Sequence, residues 1–345
     1  MEYVLPIKTK PGDDLTDLAQ YVATLTGYLS VIVVDGSDAP IFQRNAALFS
    51  HAVHVAPNPS LHCVNGKVAG VRTGFELCAS EKVVVADDDV RYQWCELERL
   101  AQLLDNADIV SPQNYYAPLP WHALWDTARM LLNRLTPSGD FPGTLAIRLT
   151  PALREAGYDG DVLFENLELI RTVVAAGGRA LAARDLYVRR LPPSRTHFLG
   201  QRVRQAYDSQ AQPGRLLLEL LLLPTGLVAF RHRGVLASLG AASVVAAEIG
   251  RRRAGGATYF PAAACALAPL WLLERAVCAW IAMGQRTFCH GTSYSGQRIK
   301  RAATPLSKLR HACPRSDDCR HSTALPASAH NDKGRRSGKT TRRPQ

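Results

Sequence analysis

The chain has 345 residues, 47% of them hydrophobic, and a formal net charge of +11. That length can bury a sizeable core and, at roughly 150 residues per domain, points to about two units. The excess charge lies mainly beyond Arg231, in Arg231-His232-Arg233, Arg251-Arg252-Arg253 and the tail; basic clusters beside apolar stretches suit a membrane surface, and no nucleic-acid-binding motif accompanies them.

Up to about residue 190, short β-branched runs alternate with helix-like stretches. Residues 3–7 predict a first strand, 15–25 a helix, and 30–34 a second strand ending in Asp35-Gly36-Ser37. Residues 64–79 predict a helix, 82–86 a strand and 92–104 another helix. This β-α-β-α order predicts a doubly wound, mostly parallel α/β sheet with helices on both faces. Met1 to Ile7 has no basic stretch before a hydrophobic run, so no secretory signal is expected and the catalytic part should face the cytoplasm.

The strand at 82–86 ends abruptly in Asp87-Asp88-Asp89. Open α/β sheets bind ligands outside the carboxyl ends of their strands, where charge can act without entering the core. Side-chain alternation sends Asp87 and Asp89 one way and Asp88 the other. Two like charges on one side call for a cation, and Mg²⁺ favours one or two carboxylates plus phosphate oxygens.

After Pro213 the composition changes. Residues 216–230 and 235–249 are apolar but short for a membrane span, whereas 259–283, apolar except for Glu274 and Arg275, approaches the required length of about 20 residues. Basic residues follow both short stretches, so one of them is expected to lie along the membrane surface. From about Thr287 the chain is polar and predicts disorder. The expected organisation is therefore a catalytic domain over 1–210, membrane-associated helices over 211–286 and a basic tail over 287–345. The eight cysteines include no Cys-x-x-Cys pair, as in a reduced compartment. His311, Cys313, Cys319 and His321 have zinc-type ligands but no apolar surroundings.

Taken in order, several segments resemble glycosyltransferase family 2, inverting enzymes of GT-A fold that use nucleotide-diphosphate sugars. The resemblance covers roughly residues 4–207. Val33-Val34-Asp35-Gly36-Ser37 is similar to the segment whose Asp contacts the nucleotide, and Asn65-Gly66-Lys67 through Arg72 to the helix before the metal motif. Asp87-Asp88-Asp89 stands at the Asp-x-Asp motif, and residues 143–148 resemble the acceptor-side segment. The resemblance implies Mg²⁺ or Mn²⁺ on Asp87 and Asp89, and donor contacts from Asp35, Lys67, Arg72, Asp87 and Asp88. Lys67 and Arg72 can offset diphosphate charge.

Two departures matter. Where the family commonly has a Glu-Asp or Asp-Asp pair supplying the general base, this chain has Glu165-Asn166, and an amide is no base at neutral pH. If residues 161–174 form a helix, Asp161, Glu165 and Glu168 share a face, which makes Glu165 the first candidate and Asp161 the second. Gln201-Arg202-Val203-Arg204-Gln205 resembles the Gln-x-x-Arg-Trp motif of membrane-bound members, with Gln205 in place of Trp. The resemblance leaves Arg204 to face the departing diphosphate, with Gln201 and Arg202 assisting. Trp121 and Trp125, one helical turn apart, suit a core pair more often than a sugar platform.

These features imply an inverting sugar transferase at the cytoplasmic membrane, with a nucleotide-diphosphate sugar donor, a lipid or glycan acceptor and no nucleic acid. The alternatives are a non-catalytic membrane protein that binds a sugar nucleotide or partner and, third, a nucleotidyltransferase. The latter usually carries a Gly-rich phosphate loop, which residues 5–12 lack.

Overall fold

The computed structural model describes residues 1–137, 139–294 and 296–312. Eight strands, β1 (Glu2–Ile7), β2 (Ser30–Asp35), β3 (Val53–Val55), β4 (Lys82–Ala86), β5 (Val90–Arg91), β6 (Ile109–Tyr116), β7 (Thr144–Arg148) and β8 (Ala180–Arg190), form one sheet in the order β3-β2-β1-β4-β7-β6-β8-β5. Strands β1 to β4 pair in parallel, as do β6 and β8; β7 runs against β4 and β6, and β5 against β8. The mostly parallel sheet expected from the sequence is present.

Helices α1 (Thr16–Leu25), α2 (Ala39–Leu48), α3 (Gly66–Leu77), α4 (Trp94–Leu103), α5 (Trp121–Asn133), α6 (Pro151–Ala156), α7 (Glu165–Ala175), α8 (Arg195–Gly200) and α9 (Arg202–Asp208) connect and cover the strands. Because strand side chains alternate, each central strand feeds two cores. Tyr3, Leu5, Val31, Val33 and Val84 meet Leu18, Val22, Leu97 and Leu100 on one face. Val4, Ile32, Val34, Val83 and Val85 meet Val68, Val71 and Phe75 of α3 on the other. The short apolar runs are strands because both faces are buried.

The chain continues through α10 (Pro213–Ala229), α11 (Arg233–Arg252), α12 (Ala263–Ala266), α13 (Ala268–Phe288), the hairpin strands β9 (Thr292–Tyr294) and β10 (Gln297–Ile299), and α14 (Leu306–Ala312). Among the described residues, one helical stretch, Arg233–Thr258, is long and apolar enough to cross a membrane by length and composition. The sequence expectation had favoured 259–283. There the helix breaks between α12 and α13, and Trp271, Arg275 and Ala279 are buried against the protein. The polar tail also starts later than Thr287. Leu163 N and Phe164 N donate to Arg301 O and Ala302 O at 3.0 and 2.8 Å, and Ile299, Ala302 and Ala303 join an apolar cluster with Leu167 and Tyr207. Three small apolar side chains scattered among basic ones carry too weak a periodic signal for this to show in the sequence. The candidate zinc cluster falls largely outside the described residues.

Arg134 joins the sheet layer to the C-terminal helices. It is fully buried, donating to Gln113 Oε1 at 2.8 Å, Tyr187 OH at 2.8 Å and Gly250 O at 2.9 Å. Gly250 lies so close to α5 that an added Cβ would fall 2.0 Å from Leu131 O. Arg134→Ala leaves several buried polar groups unsatisfied. It is expected to lower the unfolding free energy by about 3 kcal/mol, read by denaturant titration in detergent, and to speed proteolysis between α10 and α13.

Candidate functional site

β4 ends at Ala86, so Asp87 emerges at the carboxyl edge of the sheet, and its N–H donates to Gly143 O at 2.8 Å. A Cβ on Gly143 would sit 2.6 Å from Asp87 Oδ2 and 2.7 Å from Arg190 Cζ. Glycine's bare backbone is what lets these two side chains meet. Arg190, the last residue of β8, is brought to the acids by the antiparallel register that sets Val90 opposite it. Its Nε lies 2.9 Å from both Asp89 oxygens, and its Nη2 lies 3.0 Å from Asp87 Oδ2.

Lys67 approaches from the first turn of α3. Asn65 caps that helix by accepting from Lys67 N at 3.1 Å, and it grips the segment before α7 through Val162 O at 3.1 Å and Gly160 O at 2.9 Å. Lys67 Nζ thereby reaches Glu165 Oε1 at 2.6 Å and pairs with Asp87 Oδ1. The result is an alternating series: Glu165, Lys67, Asp87, Arg190, Asp89. Burial works against the Lys67 ammonium, yet Asp87 and Glu165 raise its pKa well above the ordinary value. Burial likewise works against the Asp87 carboxylate, but Lys67 and Arg190 hold its pKa below the usual range. Among the described residues Asp88 has no ion-pair partner; desolvation in the cleft, with Asp89 and Asp87 nearby, pushes its pKa up to about 6.

A cavity of about 350 Å³ opens beside this series, bordered by Asp88, Asp89, Arg190, His197, Gln201 and Asp208 among others. Arg204 stacks over Tyr294, 5.2 Å from its ring centre, and its charge helps lower the Asp87 pKa. Partial desolvation, then Arg204, lowers the His197 pKa.

The structure brings Lys67, Asp87, Asp88, Asp89, Glu165, Gln201 and Arg204 together, but places other candidates elsewhere. Asp35 is 1% exposed; it accepts from Ser37 N at 2.9 Å, Asn45 Nδ2 at 2.8 Å and His54 Nε2 at 3.2 Å. Its carboxylate organises the β2 turn, leaving little capacity for a nucleotide. Arg72 lies against Gly157 and interacts with Cys63. Arg202 points inward onto Asp126 at 3.0 Å, with its guanidinium 3.9 Å from the Phe198 ring centre. Asp161 precedes α7, so the helical spacing that grouped it with Glu165 does not hold. It accepts from Val64 N at 3.1 Å and borders a different cavity. Glu168 is buried under Thr304 N at 2.6 Å. Trp121 and Trp125 cluster with Phe198. Arg190, His197 and Asp208 were missed. Arg190 is one of two arginines closing a strand, and only the β5–β8 pairing singles it out.

The expected Mg²⁺ or Mn²⁺ can be tested against this arrangement. Asp87 is paired with both Lys67 and Arg190, and Asp89 with Arg190 alone, so an ion on Asp87 would displace two cations and one on Asp89 a single one. Among the described residues no three His, Cys, Asp or Glu side chains form a metal cluster. Asp88 and Asp89 nevertheless border one cavity, and among the described residues the Asp88 carboxyl makes no ion pair. That donor set fits an ion which takes one or two carboxylates and completes its shell with phosphate, provided that Arg190 yields Asp89.

No protein-family model and no curated protein matches this chain. Solved structures that this chain is similar to include sugar-transferring enzymes crystallised with nucleotide sugars. The mannosyltransferase PcManGT from Pyrobaculum calidifontis, in complex with GDP-Man and Mn²⁺, is 19% identical, with 81% of this chain and 86% of that one covered at a TM-score of 0.48. TarS from S. aureus, in complex with UDP-GlcNAc, is 15% identical, with 58% and 61% covered at 0.39. Glucosyl-3-phosphoglycerate synthase from Mycobacterium tuberculosis, with Mn²⁺, UDP and glucosyl-3-phosphoglycerate, is 16% identical, with 58% and 74% covered at 0.40.

Arg190 and a metal compete for Asp89 in this geometry. Arg190→Gln is expected to tighten Mn²⁺ binding about tenfold, read by paramagnetic resonance titration of the nucleotide-free protein. Unchanged affinity would show that the Arg190–Asp89 pair does not guard the site.

Proposed function

We propose that the protein transfers a sugar, with inversion, from a nucleotide-diphosphate donor to an acceptor hydroxyl at this cavity. The observation that carries the reading is the Lys67–Asp87–Arg190–Asp89 series at the carboxyl edge of a mostly parallel sheet, whose Arg190 and Asp89 border a cavity. Such an edge is where α/β sheets bind ligands, and the resemblance in residues 4–207 supplies the donor class.

Lys67 and Arg190 are donor-only cations held by carboxylates. An entering diphosphate offers them oxygens of equal charge type, so both can turn to it while Asp87 keeps them in place. Arg204 adds a third positive charge on the same side. These cations stabilise the charge that grows on the departing diphosphate, the step at which fixed donors contribute most. Asp89 with Asp88 would hold a bound Mg²⁺ or Mn²⁺, which would supply Lewis-acid charge to the diphosphate. Asp35 and Arg202 support the site through the β2 turn and the α9–α5 contact.

The acceptor is a lipid or lipid-linked glycan at the cytoplasmic membrane. Support comes from α10 and α13, which line the cavity with Arg215 and Arg275 and expose Leu217, Leu218, Leu227, Leu273, Trp280 and Ile281 elsewhere on their surfaces. Arg231 and Arg233, which follow α10 directly in the chain, suit anionic head groups.

Release of nucleoside diphosphate from UDP-glucose, UDP-GlcNAc and GDP-mannose by the protein in lipid vesicles tests the reading. Lys67→Met should cut kcat by roughly 10²–10³, and full activity in that variant would remove the mechanism. Changing Leu217 and Leu218 together to Glu should reduce flotation with anionic vesicles, and unaltered flotation would discard the membrane assignment.

A further inference from the structure

We infer that Asp208, not Glu165, accepts the proton of the acceptor hydroxyl; this rests on the glycosyl-transfer reading. Asn166 cannot serve as a base, and its Nδ2 donates to Pro142 O at 3.0 Å as a loop tie. Glu165 is bound to Lys67 at 2.6 Å, and its carboxylate is needed there to balance a buried ammonium. Asp161 and Glu168 are spent on Val64 N and Thr304 N, outside the cavity. Asp208 is different: it borders the same cavity as Asp88 and Asp89, and its carboxyl makes no hydrogen bond or ion pair among the described residues.

The fold holds Asp208 in that position. It ends α9, where Ala206 and Tyr207 are buried and Tyr207 OH donates to Lys300 O at 2.7 Å. Gln201, at the start of the same helix, borders the cavity too. The charges facing Asp208 are Arg204 on α9, Glu165 on α7, Arg215 on α10 and Arg275 on α13. Burial pushes its pKa up to about 7, with Glu165 adding to the rise and the three arginines opposing it. A base poised near the working pH is best matched to proton transfer.

In the step proposed, a carboxylate oxygen of Asp208 takes the hydroxyl proton as the acceptor oxygen bonds to the anomeric carbon. The bond from that carbon to the phosphate oxygen breaks, and its electron pair leaves with the diphosphate. The charge on the leaving group meets Lys67, Arg190 and Arg204; the proton stays on Asp208 until it passes to solvent.

The test measures nucleoside diphosphate release against pH from 5.5 to 9 for wild type, Asp208→Asn, Asp208→Glu and Glu165→Gln, with the donor and acceptor that the wild type uses. Thermal stabilisation by the nucleoside diphosphate checks that each variant is folded and binds. Wild-type kcat should rise through about pH 7, as Asp208 ionises. Asp208→Asn should lose about 10²-fold or more in kcat, keep its donor KM within about threefold, and lose the pH limb. Asp208→Glu should recover part of the rate together with the limb. The inference is overturned if Asp208→Asn retains kcat within about tenfold, or if Glu165→Gln alone abolishes the limb. Absence of wild-type turnover would instead overturn the transfer reading, and this assignment with it.

Discussion

Glu165, Lys67, Asp87, Arg190 and Asp89 alternate in sign along the carboxyl edge of the sheet, and the geometry of the site follows from that alternation. Each charge is desolvated in part, and buried ion pairs seldom repay the loss of water. The apolar layers on both sides of the strands carry the stability; the charge series is a burden that they offset. Its members are held by four separate pieces of backbone: the capped start of α3, the end of β4, the start of α7 and the end of β8. Moving any of these by an ångström would leave an unpaired charge in a low-dielectric cleft. The pairing also explains how the cations stay ready for a ligand: each is positioned by a carboxylate, with donors to spare once a second anion arrives.

The layers beneath were legible because physics leaves little choice there. Val-Val-Val-Ala and Val-Ile-Val-Val runs, broken by helical stretches, have no stable home except a sheet covered on both faces. The acid cluster was legible for the same reason, since three carboxylates after such a run must lie at its exposed end. The partners of the acids were not. Arg190 lies about a hundred residues away and is selected over Arg189 by strand register alone. Asp35 follows a strand just as Asp87 does, yet Asn45 and His54 take up its oxygens, and nothing local distinguishes the two cases. Asp161 was grouped with Glu165 by assuming a helix that in fact begins four residues later.

The C-terminal helices were read from composition, which separates apolar from polar but does not reveal what an apolar face touches. Residues 259–283 look like a span because of their hydrophobic content. The structure breaks that stretch and buries Trp271, Ala276 and Ala279 among the neighbouring helices. Glu274 and Arg275 are the clue that composition undervalued: charges in a lipid-facing helix are costly, whereas in a wall between two packed layers they can meet Arg202 and Glu219.

That wall changes what the helices are for. A segment serving only as an anchor would contribute nothing to the cavity. Here Arg215 of α10 and Arg275 of α13 form its far side, while Asp88, Asp89 and Arg190 form the near side. The sheet edge alone would leave an open, solvated shelf, on which an anionic ligand faces high dielectric and weak fixed charges. Closing it with helices lowers the local dielectric and strengthens every charge that points inward.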